Sequence, residues 1–259
     1  MTNDVLIVLL LIGILMVLLG LLFNRKKRTR ILTPLPDAYK DLLNENVAFY
    51  RRLDETGKIN FESRVQYFLS TIRITGVKTT VEDIDKVLIG ASAIIPIYAF
   101  NDWEYINLRE VLLYPETFGK YFQTEGRDRS VMGMVGNGPM RQVMILSRHA
   151  LRQGFSNKTD KSNTAIHEFV HLVDKTDGDV DGVPEVLLAN QYVLPWLDMV
   201  HKKIKEIMQD RSDINPYGAT NQAEFFAVAA EYFFERPDLI KTKHPELYAM
   251  LKMIFEKQH

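Results

Sequence analysis

The sequence predicts an α+β domain, mostly helical with a small mixed sheet, preceded by one N-terminal transmembrane helix. Long segments place apolar residues at helical spacing, whereas the middle of the chain holds short apolar runs separated by Gly, Pro, Asn and Asp. Helices on both sides of a group of strands are typical of an α+β arrangement. A separate stretch near the start, residues 5–23, carries no charge and predicts the membrane span.

The N-terminal segment is predicted to be a membrane anchor. Residues 5–23 are rich in Leu, Ile and Val and are long enough to cross a bilayer, and a basic cluster follows at residues 25–30. The positive-inside rule then places the rest of a single-pass protein on the cytoplasmic side of the membrane. We therefore expect residues 1–30 to be the anchor with its basic flank, 31–36 a linker and 37–259 one domain.

The first part of that domain is predicted to be helical. Apolar residues recur at helical spacing in residues 37–54 and 61–75, which predicts two amphipathic helices. Thr80 followed by Asp83 has the pattern of a helix start, and a proline at position 96 predicts that this third helix ends near Ile94.

The middle of the chain predicts strands, and the remainder predicts helices again. Short apolar runs predict a small sheet from residues 97–100, 110–114, 131–135 and 142–146. After Ser162 the apolar spacing becomes helical, and it predicts helices over residues 164–173, 184–209, 221–234 and 245–257. The helix over 164–173 is expected to pack against the sheet.

The composition excludes several classes of protein. The chain has 259 residues and a formal net charge of −1, whereas a nucleic-acid-binding domain normally carries a strongly basic face. It contains no cysteine, which excludes disulfide scaffolds, thiolate metal sites and cysteine nucleophiles. We therefore expect no nucleic-acid partner and a functional site built from other side chains.

The most informative motif is His-Glu-Phe-Val-His, which runs from His167 to His171. Residues four apart lie one turn apart on the same face of a helix, so the two histidines can bind one metal ion. Glu168 projects about 100° around the helix axis, where its carboxylate can act on a water molecule at that ion. The motif therefore predicts a zinc site with Glu168 as the general base.

A catalytic zinc site needs a third protein ligand in addition to the two histidines. Asp174 lies on the same helix face but too far along one straight helix, so it is expected to be a hydrogen-bond acceptor or a helix-end contact. Glu224 is the better candidate, because it is a carboxylate in the first turn of an otherwise apolar helix. Its spacing from Asn221 equally fits a helix cap, and the sequence leaves both roles open.

Two further residues are candidates for supporting roles. Glu231 follows Glu224 by seven residues on the same helix face, where it can orient a ligating histidine or form an ion pair with a residue such as Arg236. Tyr217 lies in a loop before Glu224, and its phenol can donate a hydrogen bond to the oxyanion that develops when water attacks a carbonyl. The alternative role for Tyr217 is a packed surface aromatic.

These motifs resemble those of a known family. Residues 167–174, Gly178 with residues 181–184, and residues 217–227 are similar to the Mlc titration factor A family of bacterial zinc metallopeptidases, and the motifs also resemble the catalytic domain of anthrax lethal factor. Weaker similarity extends over about residues 37–257. The resemblance implies a zincin-like metallopeptidase domain in which His167, His171 and Glu224 bind one Zn²⁺. It also implies that Glu168 is the general base and that Tyr217 stabilises the transition state.

The resemblance further implies what the domain acts on. Members of the family are associated with aminopeptidase-type cleavage of small substrates and with binding a sugar-responsive transcriptional repressor. We therefore expect a peptide or protein substrate, aligned by addition to an exposed edge strand at residues 142–146. The alternative is a membrane-tethered binding module that captures a transcriptional regulator, with a metal site that is structural or vestigial.

Overall fold

The structure, a computed structural model, describes residues 33–117, 132–136, 142–157, 159–185 and 187–256. The helices are α1 (Asp37–Asn46), α2 (Ala48–Arg51), α3 (Glu55–Thr71), α4 (Asp83–Ile94), α5 (Arg148–Ser156), α6 (Thr164–Asp174), α7 (Val193–Met208), α8 (Gln222–Glu235), α9 (Pro237–Lys243) and α10 (Pro245–Phe255). The strands are β1 (Arg73–Gly76), β2 (Glu110–Tyr114), β3 (Gly133–Val135) and β4 (Val143–Ser147). Short 3-10 turns lie at Ile95–Ile97, Lys175–Asp177, Asn190–Tyr192 and Pro216–Ala219.

Helix α3 ends earlier than the sequence predicts. It begins after Asp54, whose carboxylate accepts a hydrogen bond from the backbone N–H of Gly57 at 2.7 Å, and it buries one apolar face. The prediction extended this helix to residue 75, but residues 73–76 form β1 and pair in parallel with β2. The β-branched Ile72 and Ile74 favour this extended pairing over another helical turn.

The strand predicted at residues 97–100 is wrong. This segment continues from α4 through a 3-10 turn. The guanidinium of Arg64 donates hydrogen bonds to three carbonyls of the segment, those of Ile97, Tyr98 and Phe100, at 2.9, 2.7 and 3.1 Å. Because these carbonyls converge on one side chain, they are not available to a neighbouring strand.

Within the described residues the sheet is mixed and has four strands in the order β1-β2-β4-β3. β1, β2 and β4 are parallel, and β3 is antiparallel to β4. The segment expected at the exposed edge, residues 142–146, therefore belongs to an interior strand. Met144, Ile145 and Leu146 are all buried, which is typical of a strand covered on both faces. The edge strands are β1 and β3, and β3 is the one beside β4.

The centre of the domain is the contact between α6 and α8, the helices that carry the predicted metal-binding residues. Most of their side chains are buried, and Phe169 of α6 packs against Phe68 and Tyr105 with ring centroids 5.7 and 5.2 Å apart. On the far side of α8, Phe226 stacks on Phe255 of α10 at 5.6 Å. Aromatic packing therefore holds α6 against Phe68 and Tyr105, and α8 against α10.

Several boundaries in the C-terminal half also differ from the prediction. α7 begins at Val193 rather than at residue 184, after a loop that turns through the hydrogen bond from Leu187 N–H to the Pro184 carbonyl, at 2.9 Å. Two short helices, α5 and α9, are not predicted from the sequence. α5 begins where the Ser147 hydroxyl accepts a hydrogen bond from the Ala150 N–H at 3.2 Å, which is a common helix start.

The predicted transmembrane helix is not supported, and the predicted fold class and membrane location are corrected accordingly. No helix in the described part of the chain is long and apolar enough to cross a membrane. The apolar helices α6 and α8 have 11 and 14 residues, whereas a span needs about 20. Residues 1–30, where the anchor was predicted, lie outside the described residues. The single-pass topology, the cytoplasmic orientation and the membrane as a partner are therefore withdrawn.

Asp85 offers a test of the packing between α4 and α5. Its fully buried carboxylate accepts hydrogen bonds from the Glu82 N–H at 2.9 Å and from the Arg152 guanidinium at 2.8 Å. We expect Asp85→Ala to lower the free energy of unfolding by about 2 kcal/mol, because the start of α4 and the guanidinium both lose an acceptor. Asp37→Ala, at the exposed first turn of α1, is the matched control and should leave the urea midpoint nearly unchanged. Equal losses in the two variants would show that Asp85 has no special role.

Candidate metal centre

His167, His171 and Glu224 converge in an open cleft of about 630 Å³. The Nε2 atom of His167 lies 3.1 Å from Nε2 of His171 and 3.0 Å from Oε2 of Glu224. The remaining distance, from Nε2 of His171 to the same carboxylate oxygen, is 3.4 Å. Two helices thus bring together three donor atoms that a metal ion can bind.

The triangle of donor atoms has the size that zinc coordination requires. Zinc binds nitrogen and oxygen at about 2.0–2.1 Å, so neighbouring ligand atoms of a tetrahedral site lie about 3.3 Å apart. The observed distances of 3.0, 3.1 and 3.4 Å agree with this spacing. Two imidazoles and one carboxylate also suit a divalent cation of the zinc type. The side chains therefore fit one such ion.

The start of α6 fixes the first histidine. Asn163 caps the helix, since its side-chain oxygen accepts a hydrogen bond from the Ile166 N–H at 3.2 Å. Its carbonyl accepts a second one from the His167 N–H at 2.9 Å. His167 and Glu168 are only 8% and 6% exposed, so both point from α6 into the protein rather than into bulk solvent.

Glu231 orients the imidazole of His167. Its Oε1 atom lies 2.7 Å from Nδ1 of His167, and its Oε2 atom accepts a hydrogen bond from the Asn163 N–H at 2.5 Å. A carboxylate on Nδ1 directs the other ring nitrogen towards a metal. Of the two roles that the sequence left open for Glu231, the structure places it beside the histidine, whereas Arg236 donates to the Thr159 carbonyl at 2.8 Å.

The first turn of α8 combines a helix cap with a carboxylate that faces the histidines. The side-chain oxygen of Asn221 accepts a hydrogen bond from the Glu224 N–H at 2.9 Å. The cap is therefore supplied by Asn221, and the Glu224 side chain extends to His167 and His171 instead of back to the cap.

The loop that contains Gly182 contacts both the end of α6 and the start of α8. Asp174 accepts a hydrogen bond from the Gly182 N–H at 2.9 Å, and the Gly182 carbonyl accepts one from the Trp196 indole at 2.7 Å. Gly182 has a φ of +79°, and a Cβ atom there would lie 2.3 Å from the Gln222 carbonyl oxygen. Only glycine fits this position. Asp174 is thus a helix-end contact. Because its partner Gly182 packs against Gln222 at the start of α8, this contact also helps to position Glu224.

The charges in the cluster shift the proton affinities of its members. Burial alone lowers the pKa of His167, but hydrogen bonds to Glu224 and Glu231 outweigh it and raise the pKa to about 10. Burial raises the pKa of Glu224, but hydrogen bonds with His167 and His171 outweigh it and hold the pKa well below its usual range. The carboxylates thus stabilise positive charge at the position where a cation would bind.

Glu168 and Tyr217 both line the cleft. Burial raises the pKa of the Glu168 carboxyl. Burial and the charges of Glu224 and Glu168 raise the pKa of the Tyr217 phenol, so this group keeps its proton at neutral pH. The Tyr217 ring lies 6.0 Å from the His167 ring, between centroids, and 54% of the residue is exposed. Its backbone N–H is held by the Asn215 side chain at 3.0 Å.

Strand β3, rather than residues 142–146, lies beside the cluster. The Ser147 N–H donates to the Met132 carbonyl and the Gly136 N–H donates to the Val143 carbonyl, both at 2.9 Å. Because the direction of backbone groups alternates along an antiparallel strand, those of Gly133 and Val135 then point away from β4. The edge that faces the cleft therefore offers backbone donors and acceptors.

Two features of this site are not predicted from the sequence. A Cβ atom at Gly133 would lie 2.7 Å from Cγ of Glu168, so glycine lets the edge strand approach this side chain closely. Asn163 was also missed as a cap, although an Asn just before an apolar helix is a recognisable signal. The closeness of Gly133 to Glu168 has no such signal, because it depends on how the sheet meets α6.

The fold and the cluster together are those of a protein that can bind a metal ion. A family model described as glucose-regulated metallo-peptidase M90 matches residues 22–256. Since this match covers most of the chain, the protein belongs to that family. Membership implies a metal ion and a peptide or protein substrate, and it confirms the family resemblance found in the sequence.

Individual relatives agree with this assignment. The chain is 27% identical over 237 residues to an uncharacterized protein of Synechocystis sp., with 86% of this chain and 84% of the relative covered. It is 26% identical to Mlc titration factor A of Pectobacterium atrosepticum, covering 63% of this chain and 64% of the relative. The protein of that name from Cronobacter sakazakii is 34% identical, covering 54% and 56%. The chain thus spans less than two thirds of these two Mlc titration factor A proteins.

Proton competition at His167 predicts a pH dependence for metal binding. A cation needs Nε2 of His167 without its proton, and the carboxylates raise the pKa of this histidine to about 10. Zinc affinity should therefore rise by up to about tenfold per pH unit between about pH 7 and 9, above the range in which an ordinary histidine titrates. Competition with a chelator of known protonation measures the slope.

Glu231→Gln is the control for this slope. It removes one of the two carboxylates that raise the pKa of His167, so zinc affinity should change less with pH above about pH 7. An affinity of the wild-type protein that stays flat over this range would be incompatible with the shifted pKa.

Proposed function

We propose that the protein is a zinc-dependent peptidase of the His-Glu-x-x-His plus Glu type. The observation that carries the proposal is the triangle formed by His167, His171 and Glu224, whose sides match the spacing of zinc ligands. Family membership supports a metallopeptidase. The position of Glu168 beside this triangle supports catalysis, because a purely structural site has no use for a base in the cleft.

The substrate is proposed to bind as an extended strand along β3. The backbone groups of Gly133 and Val135 can pair with a peptide, as in other cases of strand addition. This pairing would carry the peptide past Glu168, since Gly133 approaches that side chain closely. A zinc ion bound by the three ligands would supply Lewis-acid activation of the scissile carbonyl and of the attacking water.

Glu168 is proposed to move the protons of the reaction. Because burial raises the pKa of its carboxyl, its carboxylate is a stronger base than an exposed one and its acid form persists to higher pH. It can therefore accept the proton of the attacking water and later donate it to the leaving nitrogen. The protonated phenol of Tyr217 can donate a hydrogen bond to the oxyanion that forms between these two steps.

The proposal extends to aminopeptidase-type cleavage, which the family resemblance implies. Cleavage of this type requires a free amino group at the start of the peptide. A pair of peptides that differ only in acetylation of the first residue separates this mode from cleavage within the chain.

The Glu168→Gln variant tests the proposed chemistry. The amide cannot accept the water proton, so we expect kcat/KM on a peptide library to fall by at least about a hundredfold, while bound zinc stays at the wild-type level. Glu185→Gln, at an exposed position, is the matched control and should keep full activity. Unchanged hydrolysis in Glu168→Gln would rule out this residue as the base.

The same variant separates catalysis from the alternative function, a module that binds a transcriptional regulator. The name of the relatives, Mlc titration factor A, favours such a partner as a second candidate. A binding module should capture its partner equally well with glutamine at position 168, whereas hydrolysis should be lost. Measuring both properties in one preparation therefore shows which of them depends on Glu168.

A further inference from the structure

A chain of hydrogen bonds leads from the metal-binding triangle to Glu235 at the end of α8. Nδ1 of His167 contacts Oε1 of Glu231 at 2.7 Å, and Oε2 of Glu231 accepts from the Asn163 N–H at 2.5 Å. The side-chain amide of Asn163 in turn donates to Oε1 of Glu235 at 2.9 Å. Glu235 touches none of the three proposed ligands in these contacts, yet two residues connect it to His167.

Asn163 is held in a single orientation by its neighbours. Its side-chain oxygen accepts from the Ile166 N–H at 3.2 Å, so the amide nitrogen must face the other way, where Glu235 provides the acceptor. Asn163 is fully buried, and Gly154 of α5 packs directly against it. A Cβ atom at Gly154 would lie 2.9 Å from Cγ and 3.1 Å from Cα of Asn163. A fully buried side-chain amide needs hydrogen-bond partners for both its oxygen and its nitrogen.

We propose that Glu235 is a positioning residue of the metal centre: by holding Asn163, it fixes Glu231 and thereby the imidazole of His167. The proposal rests on the metal site of the proposed function. Loss of Glu235 would leave the buried amide of Asn163 without its acceptor, and the Asn163 backbone N–H that holds Glu231 would shift with it. The imidazole would then lose part of its orientation, and zinc would bind more weakly.

The surroundings of Glu235 make its charge sensitive to pH near neutrality. Burial raises the pKa of Glu235 to about 7, and the charges of Asp160 and Glu231 add to this shift. The hydrogen bond from Asn163 and the charge of Arg52 lower the pKa and so oppose the shift. Glu235 also lines a cavity of about 250 Å³ together with Arg51 and Arg236, so protons can reach it from a side other than the cleft. Its ionised form accepts the amide hydrogen more strongly than its neutral form does.

Zinc affinity of the full chain, measured by competition with a chelator, tests this proposal without relying on peptide hydrolysis. Glu235→Leu removes the acceptor, and at about pH 8 it should weaken zinc binding about tenfold. Glu235→Gln keeps an acceptor oxygen but cannot ionise. It should bind zinc about threefold more weakly than wild type at about pH 8 and equally at about pH 6, where both side chains are uncharged. The visible absorption of bound Co²⁺ should change in the leucine variant, because ligand geometry changes.

Two further variants separate positioning from general stability. Glu62→Leu removes another largely buried carboxylate, one that accepts a hydrogen bond from the Tyr50 hydroxyl at 2.6 Å, and it should destabilise the fold without weakening zinc binding. Gly154→Ala raises helix propensity in α5 but displaces Asn163, so it should weaken zinc binding while leaving every charge in place.

The outcomes distinguish this proposal from the proposed function. Zinc affinity of Glu235→Leu within twofold of wild type, or an equal loss in Glu62→Leu, would overturn the positioning role while leaving the metal site intact. A wild-type chain that binds no zinc would overturn both. Weaker binding in Glu235→Leu and Gly154→Ala, with wild-type affinity in Glu62→Leu, is the result that we expect.

Discussion

The contact between α6 and α8 is the constraint on which the site depends. His167 and His171 both lie on α6. Glu224 reaches them only because α8 packs against α6 with its first turn beside the two histidines. Aromatic packing around Phe169 and Phe226 fixes the two helices, and the contact from Asp174 to Gly182 ties their ends together. The geometry of three donor atoms is thus a consequence of apolar packing and one glycine turn.

Charge balance favours a cation in this cluster. Glu168, Glu224 and Glu231 lie around two histidines in a largely buried cluster. With the carboxylates ionised and the imidazoles neutral, these five side chains carry a charge of −3, which is costly away from water. A proton on His167 offsets part of this charge, and the raised pKa of this histidine reflects that. A divalent cation would offset it at the same position and leave Glu168 as the base.

The sequence predicted the helices that carry the candidate site better than the strands around them. Helical spacing placed His167, Glu168 and His171 on one helix, because that relation is local. Helical spacing does not decide whether Glu224 is a helix cap or a metal ligand, because that depends on how two helices pack. In the structure Asn221 caps α8 and Glu224 faces the histidines. The sequence predicts a helix where β1 lies, and it predicts the exposed edge strand at residues 142–146 rather than at β3. Both predictions are wrong because strand pairing and strand order depend on partners distant in sequence. The prediction of a membrane helix rests on the length and hydropathy of residues 5–23 and on the basic cluster that follows them, and no described helix supports it.

The most direct test of the central claim is anomalous diffraction at the zinc absorption edge from crystals of the zinc-loaded protein. We expect one strong peak within about 2.1 Å of Nε2 of His167, Nε2 of His171 and a carboxylate oxygen of Glu224. A peak bound elsewhere, or a zinc ion held by the histidines while Glu224 turns back towards Asn221, would contradict the claim that the two helices form one metal site.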